Sequence, residues 1–279
     1  MVDFNALYTP GSTELNLSGK DVSADDITDL ITFLKSHPNI TSLDLSRNNL
    51  GPIGAKNLVR ALREEKIKVT TLNLSNNYLG KAGIENFAIH NDSITDVDLS
   101  FNQGGPESLK LFAKYNNKVT TLNFNLNDVG DAGLIAFSQL NSTVRHLTIN
   151  YNNISPVGVL EFCRHNTKIN TITLQGNKLD DNSAKALACN TYIQFADLNS
   201  NRNVTQLGKR ALHETRSEVK ANYGKELGII EKQPKTISLL KLSANSTDKF
   251  FRRNSVDPNT LVEDFDLPND VSSEFNIEN

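Results

Sequence analysis

Apolar and polar residues alternate in a short segment that recurs along most of the chain. The segment from 69 to 79 reads apolar-x-x-Leu-x-Leu-x-x-Asn-x-Leu, with Asn77 at its polar position. Successive residues of a strand point to opposite faces, so Leu72 and Leu74 predict a short strand with one buried face. Asn77 follows where the chain leaves this strand, and its amide can both donate to and accept from unpaired backbone groups.

The same segment occurs seven times, and most copies are 25 residues apart. The apolar residues that open the copies are Ile40, Val69, Ile94, Val119, Val144, Ile169 and Ile193. The polar positions form a set that we call the asparagine ladder: Asn48, Asn77, Asn102, Asn127, Asn152, Asn177 and Asn201. A weaker copy precedes them, with Leu15 and Leu17 in place but Lys20 instead of Asn. Such a period predicts a stack of repeats with an atypical first unit.

Each predicted strand is followed by apolar residues at helical spacing. We predict a helix near 24–36, a second over 53–64, and helices of two to three turns in the shorter later repeats. The residues expected to face the core of the later helices are Ile84, Phe87, Ala88, Leu109, Phe112, Ala113, Leu134, Phe137, Leu160, Cys163, Leu187 and Ala188. The last repeat is degenerate, with Ala196 where Leu is expected, and a polar capping helix is predicted over 206–223.

The repeat resembles the leucine-rich repeat of the cytosolic ribonuclease-inhibitor and NOD-receptor type, over roughly residues 12–223. The resemblance implies the α/β class. It also implies a horseshoe solenoid of about eight coils, with a parallel inner sheet, outer helices and a protein-binding concave face. We expect a lead at 1–11, the solenoid with its cap at 12–223, an irregular or short helical extension at 224–253, and a disordered tail at 254–279. That tail contains seven acidic residues and no Lys or Arg, as is typical of disorder.

The asparagine-rich composition, the mixed repeat lengths and the acidic tail are similar to leucine-rich repeat effectors of intracellular bacteria such as Legionella. This similarity implies a protein that is cytoplasmic in the producing cell and delivered into the host cytosol by type IV secretion, where it binds a host protein. The alternative is an endogenous cytosolic enzyme regulator or inhibitor, or a ligase adaptor. A basic segment at 249–256 also resembles a kinase substrate site at Ser255, although chance accounts for such short patterns.

Charge and motif content exclude several other classes of protein. The formal net charge is −3, so no global positive field favours nucleic acid. The chain has no apolar run long enough for a membrane span, and its first residues do not read as a signal peptide. Cys163 and Cys189 are expected to be thiols packed in the helical layer. We find no catalytic, metal-binding or cofactor-binding pattern, and expect a monomeric binding protein rather than an enzyme.

The candidate binding residues lie beside the asparagine ladder. The residue just before each ladder asparagine belongs to a set that we call the turn row: Arg47, Asn76, Phe101, Leu126, Tyr151, Gly176 and Ser200. Three successive coils therefore place Phe101, Leu126 and Tyr151 in a line of roughly 10 Å, because adjacent strands lie ~4.8 Å apart. Two readings remain open, since these side chains either pack on the protein itself or anchor a partner. The charged residues expected to rim such an anchor are Asp96, Asp98 and His146.

Overall fold

The computed structural model describes residues 2–213, which form a single parallel sheet backed by helices. Eight strands pair in chain order. They are β1 (Glu14–Asn16), β2 (Ser42–Asp44), β3 (Thr71–Asn73), β4 (Asp96–Asp98), β5 (Thr121–Asn123), β6 (His146–Thr148), β7 (Thr171–Thr173) and β8 (Phe195–Asp197). Every neighbouring pair is parallel and in the register of the repeat, so that Leu122 lies between Val97 and Leu147. The predicted α/β solenoid of about eight coils is confirmed.

A helix follows each strand and packs against the helix of the next coil. The helices are α1 (Phe4–Leu7), α2 (Ile27–Ser36), α3 (Gly51–Glu64), α4 (Gly80–His90), α5 (Gly105–Tyr115), α6 (Gly130–Leu140), α7 (Pro156–His165), α8 (Asp181–Cys189) and α9 (Gln206–His213). A 3-10 turn at Ala24–Asp26 leads into α2. The predictions for residues 214–279, including the end of the capping helix, the extension and the tail, lie outside the described residues.

Two buried apolar positions of the helical layer recur at the repeat period. Buried aromatic or aliphatic side chains recur at Phe87, Phe112, Phe137, Phe162 and Leu187. Three residues before each of them lies a second buried side chain, at Ile84, Leu109, Leu134, Val159 and Ala184. Burial of these faces against the neighbouring coils joins the coils into one continuous core.

The sequence-based assignment of the core residues was wrong in two of these helices. Leu160 of α7 is only half-buried, and Cys163 is partly buried against the core, whereas Val159 and Phe162 are fully buried. Apolar residues occur in adjacent pairs here, so helical spacing alone fits either choice. The 25-residue period decides which residues of α7 face the core, because it makes Phe162 equivalent to Phe137. In α8, Ala188 is half-buried, and Ala184, which was not predicted to face the core, is buried at the position of Ile84.

A second set of asparagines fixes the junction between each helix and the next strand. These are the C-cap residues Asn91, Asn116, Asn141, Asn166 and Asn190. The Asn91 Nδ2 donates to the carbonyl of Ile94 at 2.8 Å, and its Oδ1 accepts from the Ile94 N–H at 2.9 Å. This side chain therefore holds a tight turn closed. The set was not predicted from the sequence, although four of its members are 25 residues apart.

Candidate partner-binding surface

The asparagine ladder locks the chain as it leaves the sheet. The Asn127 Nδ2 donates to the carbonyl of Leu99 in the preceding coil at 2.9 Å. Its Oδ1 accepts from the backbone N–H groups of Asn102 and Gly104, both at 3.1 Å. All seven ladder side chains are at most 8 % exposed. Because each amide pairs backbone groups that would otherwise be buried without partners, the turns of adjacent coils are held in a fixed relation.

The turn row occupies an unusual backbone conformation. Its members have φ of 53–63° in every coil: Arg47, Asn76, Phe101, Leu126, Tyr151, Gly176 and Ser200. Residues other than glycine rarely adopt this left-handed region, although asparagine tolerates it better than most. A large side chain here costs of order 1–3 kcal/mol of conformational strain. Asn76 and Gly176 suit the backbone, whereas Phe101, Leu126 and Tyr151 do not.

The three large side chains of the turn row are substantially exposed. Phe101 is 53 % exposed, Leu126 40 % and Tyr151 49 %. The Tyr151 ring lies across Gly176 of the next coil, where a Cβ on the glycine would lie only 2.8 Å from the Tyr151 Cζ. Tyr151 thus packs partly on the protein, and the missing side chain of Gly176 makes room for its ring.

A further exposed aromatic residue lies in the turn of the preceding coil. Tyr78 directly follows ladder residue Asn77, is 60 % exposed, and also has a positive φ of 56°. The equivalent positions of the next coils carry Gln103, Asp128 and Asn153, with the same backbone conformation. Tyr78 was not among the residues predicted from the sequence. The sequence signal that could have identified Tyr78 is an aromatic residue at a position that is polar in the following coils.

The charged residues predicted to rim the anchor lie on two columns of the sheet. Asp96 and His146 occupy the first positions of β4 and β6, and Asp98 occupies the last position of β4. The Asp98 Oδ1 accepts from the Ser100 N–H at 2.8 Å, and its Oδ2 accepts from the Asn123 Nδ2 at 2.7 Å. Asp98 is therefore fixed three residues before Phe101, whereas Asp96 lies at the opposite end of its strand.

The carboxyl group of Asp96 lies near a second carboxylate, Asp98, and near His146. Partial burial and, to a lesser degree, the nearby charge of Asp98 raise its pKa, and His146 opposes this shift. A raised carboxyl pKa means that the negative charge lacks sufficient compensation at this point. The three residues therefore influence one another, and a cation placed beside them would stabilise the charged form of Asp96.

Other candidate chemistry is weak within residues 2–213. Cys163 and Cys189 do not form a disulfide. Burial raises the pKa of Cys163, which keeps the thiol protonated and poorly nucleophilic. The described part of the chain contains no cluster of three or more His, Cys, Asp or Glu residues suited to a metal ion. No described helix combines the length and apolarity needed to cross a bilayer.

Comparison with known families agrees with the repeat architecture. A leucine-rich repeat family model matches residues 36–59, 66–88, 115–138, 140–163 and 165–188. These segments omit the coil that contains Phe101, in which Gly104 stands two residues after the ladder asparagine, where each matched coil has an apolar residue. The chain is a leucine-rich repeat protein, of a kind that generally mediates protein–protein interaction and is typically not an enzyme. No curated protein matches the chain.

Proposed function

We propose that the protein is a non-enzymatic binding module that recognises a partner protein through its concave side, with Phe101, Leu126 and Tyr151 as the anchor. Asp96, Asp98 and His146 provide the polar surroundings. The observation that carries the proposal is the combination of large apolar side chains, high exposure and left-handed backbone at the same three positions.

Folding alone gives no reason to place these residues there. An exposed ring contributes little hydrophobic stabilisation, and its left-handed backbone is strained. Neighbouring coils use Asn76 and Gly176, which occupy the same conformation at lower cost. Apart from the contact of Tyr151 with Gly176, these side chains give little structural return for their strain, and exposed apolar patches of this kind mark interaction sites.

The backbone under the anchor is rigid. The N–H groups of Phe101, Leu126 and Tyr151 each donate to a carbonyl of the following coil, at 3.0, 3.1 and 2.9 Å. The ladder asparagines that follow them are themselves buried and paired. Because the backbone of the anchor is already fixed, binding a partner orders little of it, which lowers the entropic cost of binding. Aromatic side chains presented in this way resemble the few residues that dominate binding energy at interfaces.

The test is a double substitution that preserves the turns. Phe101→Asn with Tyr151→Gly introduces residues that the neighbouring coils already carry. With a partner isolated by affinity capture, we expect surface plasmon resonance to show at least tenfold weaker binding, about 1.4 kcal/mol or more. The matched control is Ile53→Gln on α3, since Ile53 is also highly exposed but lies in the helical layer. Full binding by a folded double variant would contradict the anchor.

We further propose that the protein is a monomeric effector, made in the bacterial cytoplasm and delivered by type IV secretion to a host protein. The support is compositional, namely the acidic segment 254–279 and the similarity to secreted leucine-rich repeat effectors. Deleting 254–279 should abolish delivery of a reporter fusion into host cells while binding in vitro persists. Unchanged delivery would favour the alternative of an endogenous enzyme regulator or adaptor. Size-exclusion chromatography with light scattering tests the monomer.

A further inference from the structure

The concave-facing positions of the strands carry only one sign of full charge. Their carboxylates are Glu14, Asp44, Asp96, Asp98 and Asp197. No Lys or Arg occupies the first or last position of β1–β8, and His146 is the only titratable base there. The chain as a whole contains 29 Lys and Arg residues, so cations are placed elsewhere on the molecule. A surface of one sign on a concave face attracts and orients a partner of the opposite sign.

Carboxylates also lie on both sides of the apolar anchor. Asp98 precedes Phe101 by three residues within the same coil, and Asp128 follows Leu126 by two. Asp128 is exposed and accepts from the Asn153 Nδ2 at 2.9 Å. The anchor is thus an apolar strip bordered by acidic groups.

No Lys or Arg lies on the turns that follow β4 and β5, which carry Phe101 and Leu126. On the turns after the other strands, the cations are Lys20, Arg47, Lys178 and Arg202. Arg145 precedes β6, and its Nη1 donates to the carbonyl of Lys168 at 3.4 Å. Burial, and then the charge of Asp98, raise the pKa of Asp96, so a cation placed beside Asp96 would favour its charged form.

We propose that the partner presents a basic protein segment: an apolar side chain of that segment seats on Phe101, Leu126 and Tyr151, and its Lys or Arg side chains face Asp96, Asp98 and Asp128. This inference rests on the proposed binding function and specifies the chemistry of the partner. Apolar contact supplies most of the affinity, because exposed ion pairs contribute little individually. The carboxylates supply the attraction, the orientation and the discrimination against acidic partners.

The experiment selects ligands without assuming their sequence. A displayed library of random peptides of about twelve residues is panned against the full chain, with Phe101→Asn/Tyr151→Gly used for subtraction. We expect the enriched peptides to combine Lys or Arg with an aromatic or aliphatic residue. Enrichment of neutral or acidic peptides, or no enrichment at all, would overturn the inference.

Charge is then tested separately from the anchor. Asp96→Thr and Asp98→Asn introduce the residues that β3 and β5 carry at the same positions, so the fold should persist. For a synthesised basic peptide we expect about three- to tenfold weaker binding. Binding should also weaken from about 50 to about 500 mM NaCl. The control is Glu107→Gln on α5, a carboxylate of the helical layer.

The outcomes distinguish this inference from the proposed function. Loss of binding on changing the anchor, with no effect of the two aspartates or of salt, would overturn the basic partner and leave the binding function standing. Equal binding by the anchor variant would overturn the proposed site itself.

Discussion

The asparagine ladder and the turn row are adjacent in sequence, yet they follow opposite rules. Seven coils carry the same residue at the ladder position, and the position before it carries seven different residues. Both positions belong to the same repeated turn, and all turn-row residues share a positive φ. The repeat therefore fixes the backbone at both positions but fixes the side chain at only one of them.

The reason lies in what each side chain has to satisfy. A ladder asparagine must donate to carbonyls and accept from N–H groups within a buried turn, as Asn102 does with Leu74 and Asn77 at 3.0 Å each. Asn is suited to this because it combines a donor and an acceptor at this length. A turn-row side chain contacts solvent and makes no such bonds, so it can vary between coils. Positions that vary on an invariant backbone are where a repeat protein can carry its specificity.

Substituting a buried phenylalanine and a turn-row phenylalanine should give the largest difference in stability. Phe124 is fully buried behind the sheet and lies 6.5 Å from Phe112, ring to ring. Phe124→Ala should cost about 3–5 kcal/mol of the free energy of unfolding, because it leaves a cavity. Phe101→Ala should change stability by no more than about 1 kcal/mol. Urea unfolding followed by circular dichroism measures both, and equal losses would show that Phe101 packs on the protein.

Removing one ladder amide should have the next largest effect. Asn127→Ala leaves the N–H groups of Asn102 and Gly104 buried without their acceptor, which should cost about 1–3 kcal/mol. Asn86→Ala is the matched control, since the Asn86 side chain donates to the Ala82 carbonyl on the exposed surface of α4. Similar urea midpoints for these two variants would mean that the ladder contributes no more than a surface asparagine.

The difference between the asparagine ladder and the turn row also explains how much of the structure could be predicted from the sequence. The strands, the eight coils and the fold class follow from leucines and asparagines whose spacing is fixed by packing and backbone hydrogen bonds. The location of Phe101, Leu126 and Tyr151 on one line follows from the repeat period as well. Their strained backbone was not predicted, although asparagine and glycine at Asn76 and Gly176 in the same row were a signal for a left-handed conformation.

The remaining errors arose where several residues satisfy the same pattern. Val159 and Leu160 are both apolar, so helical spacing could not decide which of them faces the core. The C-cap asparagines, such as Asn91, were missed because the strand motif does not extend to the other end of the helix. Tyr78 was missed because a single aromatic residue in an otherwise polar row forms no pattern.

Replacing a strained turn-row residue should have a smaller effect, of opposite sign. Phe101→Asn places in the turn after β4 the residue that the preceding coil has at Asn76, where a positive φ is tolerated. We expect the free energy of unfolding to rise by up to about 1 kcal/mol, while partner binding weakens. Thermal melts with paired binding measurements would show this trade between stability and function. A clear loss of stability would instead indicate that the Phe101 ring packs on neighbouring coils.

The smallest effect concerns another variable row, at the ends of the helices. His90 aligns with Tyr115 and Leu140 in the following coils. Burial, then the nearby charges of Arg63, Arg60 and Lys56, lower its pKa below the usual value of 6.5, with Glu64 opposing. The Nδ1 atom of His90 is buried and has no hydrogen-bond partner. Protonation would place an N–H there without an acceptor, so the environment favours the neutral ring.

A lowered folded-state pKa has a definite sign for stability. Below about pH 6.5 the unfolded chain binds the proton more readily than the folded chain, so stability falls as the pH drops through this window. His90→Leu introduces the residue of the Leu140 coil and removes this contribution. Between about pH 8 and about pH 5 the melting temperature of the variant should therefore fall less than that of the wild type. Parallel curves for the two proteins would show that His90 titrates equally in both states, and that this row, unlike the turn row, varies without consequence.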